Sequence, residues 1–309
     1  MLKNFHFINN KKITLIIVGV VLLVGILSFV IRGFNLDIDF TGGYELTIDL
    51  GEATSNQTAS DVKALIEGDK ELGKDYVSSV TYSENSVKIE SKNAMTTEQQ
   101  NHLLEVICEK YPNASTEVQL NNISATIGTR TLYTAFITVI IAAVAMLIYI
   151  AFRFQFASGV ASVACLLHDL FVMLVVYSLF QIPLSSSVIA AFLTILGYSI
   201  NATIVVFDRI RENKKKNDKD PFGEIVNTSI HETMGRSINT TITTLLTIGA
   251  VFVACAVAVL IFPTSNLDSL RDFAGTLIVG IFAGLFSSVF LSGMIWNALS
   301  GIKSGKKAK

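Results

Sequence analysis

Six stretches of the chain are apolar over the roughly 20 residues that a helix needs to cross a bilayer: residues 13–31, 131–152, 157–180, 186–207, 238–262 and 273–299. Between the first two the pattern changes to mixed polar and apolar sequence, long enough for one small domain. Residues 44–50 alternate as a strand does, and 58–67 place Ala59, Val62 and Leu65 or Ile66 on one helix face. Residues 77–82 and 87–90 read as a strand pair around 83–86. A second helix is predicted over 97–111, capped by Thr96 or Thr97 and stopped by Pro112, with a last strand over 115–120. The order β-α-β-β-α-β predicts a ferredoxin-like α+β domain, one antiparallel sheet with two helices on one face.

The chain therefore reads as a polytopic α-helical membrane protein of 309 residues, 51% hydrophobic and 16% charged. Its expected parts are 1–32 (N-terminus and first span), 33–130 (the α+β domain), 131–300 (five further spans, with a loop over 208–237) and 301–309 (a basic tail). The net charge of −1 conceals an asymmetry. Lys3, Lys11 and Lys12, Arg153, seven cations from Arg209 to Arg236 and four after Gly301 all fall on one side of a six-span topology. The positive-inside rule makes that side, with both termini, cytoplasmic and the α+β domain extracytoplasmic. The first span follows basic residues as a signal peptide would, but its length and the lack of a small-x-small site predict a retained anchor. Nothing in this charge pattern points to nucleic acid; Lys214, Lys215 and Lys216 are placed to meet anionic lipid.

Cys108, Cys165 and Cys255 are scattered and make no disulfide or metal framework. Cys108 shares a helix face with Leu103, Leu104 and Ile107, which predicts a buried thiol, and His102 is expected at a solvated helix position. No Walker loop, HExxH, nucleophile elbow or dinucleotide fingerprint occurs, so neither an enzyme nor a cofactor-binding protein is predicted.

Polar residues inside the spans carry the functional signal, because a carboxylate in lipid must be paired or hydrated. His168 and Asp169 lie halfway along the third span, as either a proton relay or a fixed interhelical hydrogen bond. On the fourth span Thr194, Tyr198, Asn201, Val205 and Asp208 recur at three- and four-residue steps. The fifth answers with Arg236, Asn239, Thr240, Thr243 and Thr247, and two such stripes can satisfy one another, as packing glue or as a hydrated ion path. Asp208, Arg209, Arg211 and Glu212 form a charged rim at the end of the fourth span. Just after the first span, Asp37, Asp39, Phe40, Thr41, Gly42 and Gly43 are too polar for lipid and allow a tight reversal, as a simple turn or a conformational joint. Gly280, Gly284 and Ser288 follow small-xxx-small spacing, for internal or partner packing. The tail beyond Gly301 is expected to be disordered.

FNLDIDFTGG at 34–43, LLHDL at 166–170, GYSIN at 197–201, VVFDRIREN at 205–213, GRSINTT at 235–241 and DFAGTLIVGIFAGLFSS at 272–288 together resemble the SecD/SecF family of bacterial protein-export subunits, on its SecF side, over essentially the whole length. That resemblance implies a partner, SecD, completing a pseudo-symmetric twelve-span unit, with the SecYEG translocon, YajC and emerging preproteins as further partners. It implies use of a proton or sodium gradient, as in the resistance-nodulation-division superfamily. One departure stands out: such proteins typically read GYSINDT, whereas Ala202 follows Asn201 here. The proton step then falls to the partner, to Asp169, or to another cation held by Asn201 and the threonines. The alternatives are a structural subunit that carries no ion and a component of a small-molecule or lipid exporter of the same superfamily.

Overall fold

The computed structural model describes residues 6–69, 72, 77, 79–83, 85–91, 95–115, 119–123, 125–153, 156–217, 219–261 and 267–305. Its elements are α1 (Lys11–Ile31), α2 (Ile38–Thr41), β1 (Gly43–Asp49), α3 (Asn56–Gly68), β2 (Ser79–Ser83), β3 (Ser86–Ser91), α4 (Thr97–Lys110) and β4 (Gln119–Ile123). Then follow α5 (Ala125–Arg153), α6 (Phe156–Phe180), α7 (Ser186–Lys216), α8 (Phe222–Ile261), α9 (Asp268–Phe286), a π-helical turn over Ser287–Leu291 and α10 (Ser292–Gly305). Among the described residues six helical segments are long and apolar enough to cross a membrane: α1, α5, α6, α7, α8 and the run from α9 into α10.

Between α1 and α5 the strands form one antiparallel sheet in the order β2-β3-β1-β4, with Leu46 of β1 opposite Ile89 of β3 and Leu120 of β4. Period-two alternation turns Tyr44, Leu46, Ile48, Val87 and Ile89 to one face, where they are buried with Val62, Ile66, Leu103 and Ile107 of α3 and α4. The other face is polar, and Lys88 bridges Glu45 and Glu90 across it at 2.9 and 3.6 Å.

Both helices of this domain begin at reciprocal capping boxes, which satisfy otherwise orphaned N–H groups. Ser55 and Thr58 cap α3, so that helix starts two residues before the predicted position; Thr96 and Gln99 cap α4. The last strand lies later than expected, at 119–123, and residues 116–118 of the expected strand lie outside the described residues. Cys108 is half-buried rather than buried, because Leu103 and Ile107 occupy the core side of α4. His102 is not simply solvated: its Nε2 lies 3.2 Å from both carboxylate oxygens of Asp69 at the end of α3.

In the bundle, α7 is packed on α9, where the small-residue stripe allows close approach. A Cβ at Gly280 would collide with Ile195, and one at Gly284 would touch Ser199, so the glycines serve internal packing. Helices also run past the predicted apolar limits. Helix α7 continues to Lys216, α8 begins at Phe222 rather than near 238, and α10 reaches Gly305 through the start of the expected disordered tail. With about 1.5 Å rise per residue, the 40 residues of α8 span about 60 Å, twice the hydrocarbon thickness. At the end away from the α/β domain the chain start folds back onto α8. Phe7 is buried against His231 and Phe290, and its N–H donates to Asn227.

Candidate functional site

Asp169 stands at the centre of the bundle, 1% exposed. Helix α6 brings it against α7 and the π-turn, whose hydroxyls are supplied by residues small enough for three helices to meet. Ser199 and Ser287 both donate to Asp169 Oδ2, at 2.5 and 2.8 Å, and Oδ1 faces His168 Nδ1 at 3.0 Å. The Cys165 thiol donates to the Ser287 carbonyl at 3.6 Å. The His168 ring stacks on Phe286, with only 8% of its side chain exposed. Apart from His168, the recorded partners of this carboxylate are hydroxyls. One turn beyond Ser199 along α7, Thr203 is 1% exposed and its hydroxyl has no hydrogen-bond partner among the described residues.

The expected pairing of two polar stripes is not what forms. Asn201 and Thr194 of α7, and Arg236, Asn239, Thr240, Thr243 and Thr247 of α8, all face outward. The Tyr198 hydroxyl makes a long contact to α8, donating to Thr241 at 3.4 Å, and Thr241 is not a member of the predicted set. Thr243 and Thr247 donate to their own helix at Asn239 and Thr243. The physical reason is rotational: Ser237 and Thr241 take the inward positions of α8, leaving the richer polar face open. Glycine and alanine keep that face shallow; no neighbouring atom of the described residues lies within 4 Å of where a Cβ at Gly197 would stand.

At the far end of α7 the rim is tied to α8. Arg209 donates to Glu232 and to Glu212, each at 2.6 Å, and Asn213 donates to Glu232 and Ser229. Asp208 and Arg211 pair at 3.7 Å within α7. Asp208, Arg209, Glu212, Glu232 and Arg236 border a polar cavity of about 450 Å³ between the two helices.

At the other end, residues 34–43 form a clamped turn. Asp37 caps α2 by accepting from the Ile38 N–H, while Asp39 accepts from the Ser186 N–H at the start of α7. A parallel bridge joins Leu36 to Leu184. Phe40, 3% exposed, packs among Leu184, Val188, Phe192 and Leu277 of the bundle. Thr41 bonds back to Asp37, and Gly42 and Gly43 take φ values of 71° and 145°, open only to glycine without strain. Burial pushes the Asp37 carboxyl up to about 6, against the lowering effect of the Ile38 N–H.

Ser199, Ser287 and Glu232 were not among the residues singled out from the sequence. The serines sit in quoted motifs but read as small apolar-compatible residues, and Glu232 belongs to a helix turn that hydropathy does not include.

Residues 104–301 match the family model described as protein export membrane protein SecD/SecF, C-terminal. The chain is 31% identical over 311 residues to protein translocase subunit SecF of Alicyclobacillus acidocaldarius, covering 100% of this chain and 96% of that one. It is 33% identical to the SecF of Acidaminococcus fermentans, covering 96% and 97%. The crystal structure of SecDF, a translocon-associated membrane protein from Thermus thermophilus, matches with a TM-score of 0.80 at 30% identity, covering 96% of this chain and 39% of that one.

Proposed function

The chain belongs to the SecD/SecF family of protein-export membrane proteins, on its SecF side, and we propose from this how it works. It is a Sec protein-export subunit, and SecD is its partner: relatives such as the SecDF of Bacillus subtilis carry the matched region as 38% of a longer chain. In our reading it lies in the bacterial cytoplasmic membrane with both termini inside. The βαββαβ domain, which we take as ferredoxin-like from its strand order, lies outside, and SecYEG, YajC, lipid and emerging preproteins are its surroundings. The outward polar face of α7 and α8 is the side we assign to SecD, since Asn201, Asn239, Thr240 and Thr243 stand exposed there among the described residues.

The match to SecF subunits over the whole chain carries this reading. The pair would use the ion gradient to promote late preprotein translocation. One proton falling through 100 mV supplies about 2.3 kcal/mol, enough to bias a movement of the outer domain. Ala202 favours a second reading, a subunit that stabilises SecD and carries no ion. Pulse-chase export in cells depleted of this chain tests both. Loss of export rescued by the wild type is expected; unchanged kinetics on depletion would refute the role, and full rescue by D169N would favour the second reading.

A further inference from the structure

Where α5 passes over α2 at Gly128, a groove of about 370 Å³ opens between α5 and the start of α7. It lies at the end of the bundle next to the α+β domain, since β4 leads into α5 and Phe40 of the clamped segment forms part of its wall. The volume is within the usual range for ligand pockets, about 300–1,000 Å³. Its chemistry is divided along α5. Toward mid-membrane the lining is Ala135 and Thr138 with Ile189 of α7. Thr131, Thr134 and Thr138 donate their hydroxyl protons to the carbonyls of Ile127, Arg130 and Thr134, so that wall keeps no free hydroxyl donor. At the other end stand Arg130 and Ser186, both exposed. No acid lines the groove, and no ion pair to Arg130 occurs among the described residues. Asp39, beside Phe40, has its Oδ2 engaged by the Ser186 N–H.

Arg130 comes one residue before the apolar run that starts at 131, which puts its guanidinium at the level of the lipid headgroups. A cation there above an apolar trough matches the two halves of a phospholipid. We infer that the groove holds one anionic glycerophospholipid from the leaflet nearer the α+β domain, its phosphate on Arg130 and the Ser186 hydroxyl and an acyl chain against Phe40, Ala135 and Ile189. The planar guanidinium can give a phosphate two parallel hydrogen bonds. Charge selects the headgroup: an ethanolamine ammonium finds no carboxylate in the lining, whereas an uncharged glycerol needs none. The bound lipid touches α2, α5 and α7 together, so it braces the joint that carries Phe40. This inference goes beyond the export role and rests only on the chain spanning a bilayer.

The test is a lipid titration by native mass spectrometry of the full chain, alone and in complex with SecD, using phosphatidylglycerol and phosphatidylethanolamine with the same acyl chains. Wild type, R130Q and T134F are compared. The complex should bind one phosphatidylglycerol about fivefold more tightly than phosphatidylethanolamine, the gain one cation near a membrane surface gives toward an anionic lipid. R130Q should lose that preference, and T134F, which fills the groove and keeps the cation, should weaken both lipids. A preference that survives R130Q, or binding indifferent to T134F, would overturn the proposal. Binding to the chain alone that disappears in the complex would also overturn it, by showing that SecD covers the groove. Should T134F fail to fold, R130Q alone decides, because its substitution lies at an exposed position.

Discussion

The carboxylate of Asp39 accepts the backbone N–H of Ser186 at 2.9 Å, so a residue between α1 and the α+β domain caps the first turn of α7. The helix that carries Asn201 and Ser199 is thereby fastened, at its start, to the segment leading into β1. Loss of such a cap costs about 1 kcal/mol. D39A should lower the apparent unfolding temperature of the purified chain in detergent by a few degrees, and D39N by less. Equal, negligible effects of both would show the contact to be idle.

Asp37 predicts a pH dependence. Its folded value, raised to about 6 from 3.8, means that the native state binds the proton more tightly than the unfolded chain. The stabilisation is therefore fully present below about pH 4 and is lost as pH rises through about 6. After allowance for partial exposure it amounts to about 1 kcal/mol. Moving from pH 7.5 to 5 should stabilise the wild type relative to D37N, which keeps the cap without the charge. A D37N difference that is the same at both pH values would remove Asp37 as the cause.

Gly128 allows α5 to pass against α2. A Cβ there would come within 2.9 Å of the Phe40 carbonyl oxygen, and backbone cannot swing aside as a side chain can. G128A should cost about 1–3 kcal/mol, the usual range for overpacking, and expose the joint to limited proteolysis. G128A with wild-type melting and cleavage would show that the segment moves freely.

Gly197 supplies the opposite case. It lies on the open face of α7, and a Cβ there would meet no neighbouring atom of the described residues within 4 Å. G197L should leave the isolated chain folded with unchanged melting, yet reduce co-purification with SecD by tenfold or more, as a bulky residue in a close helix contact would. Retention of SecD by G197L would place the partner on another face.

Much of this was legible in the sequence, for identifiable reasons. The spans are visible because lipid demands long apolar runs, and the strands because one face of a small sheet is buried, as Leu46 and Ile89 illustrate. Burial of Asp169 followed from its position halfway along a span. The orientation of the stripes did not, since a period of three to four residues identifies a face without saying what it faces: Asn239 and Thr241 are equally polar, and only packing turned Thr241 inward. Nor could hydropathy see the charged turns of α8 that contain Glu232, or a π-turn, which depends on a one-residue offset in backbone pairing. The family signature at 34–43 marked a special segment; that it is a clamp carrying Phe40 into the bundle required the neighbours.

The length of α8 has a mechanical consequence. A rod of about 60 Å is twice as long as a hydrocarbon layer is thick, which leaves an arm of about 30 Å to act as a lever. Tilting it by about 10° in the membrane carries the tip through roughly 5 Å, a displacement large enough to be felt by a neighbouring protein. The Arg209–Glu232 tie and the seat of Phe7 on Asn227 brace that arm to α7 and to the chain start. A tilt of α8 would thus displace this braced end further than the middle of the helix.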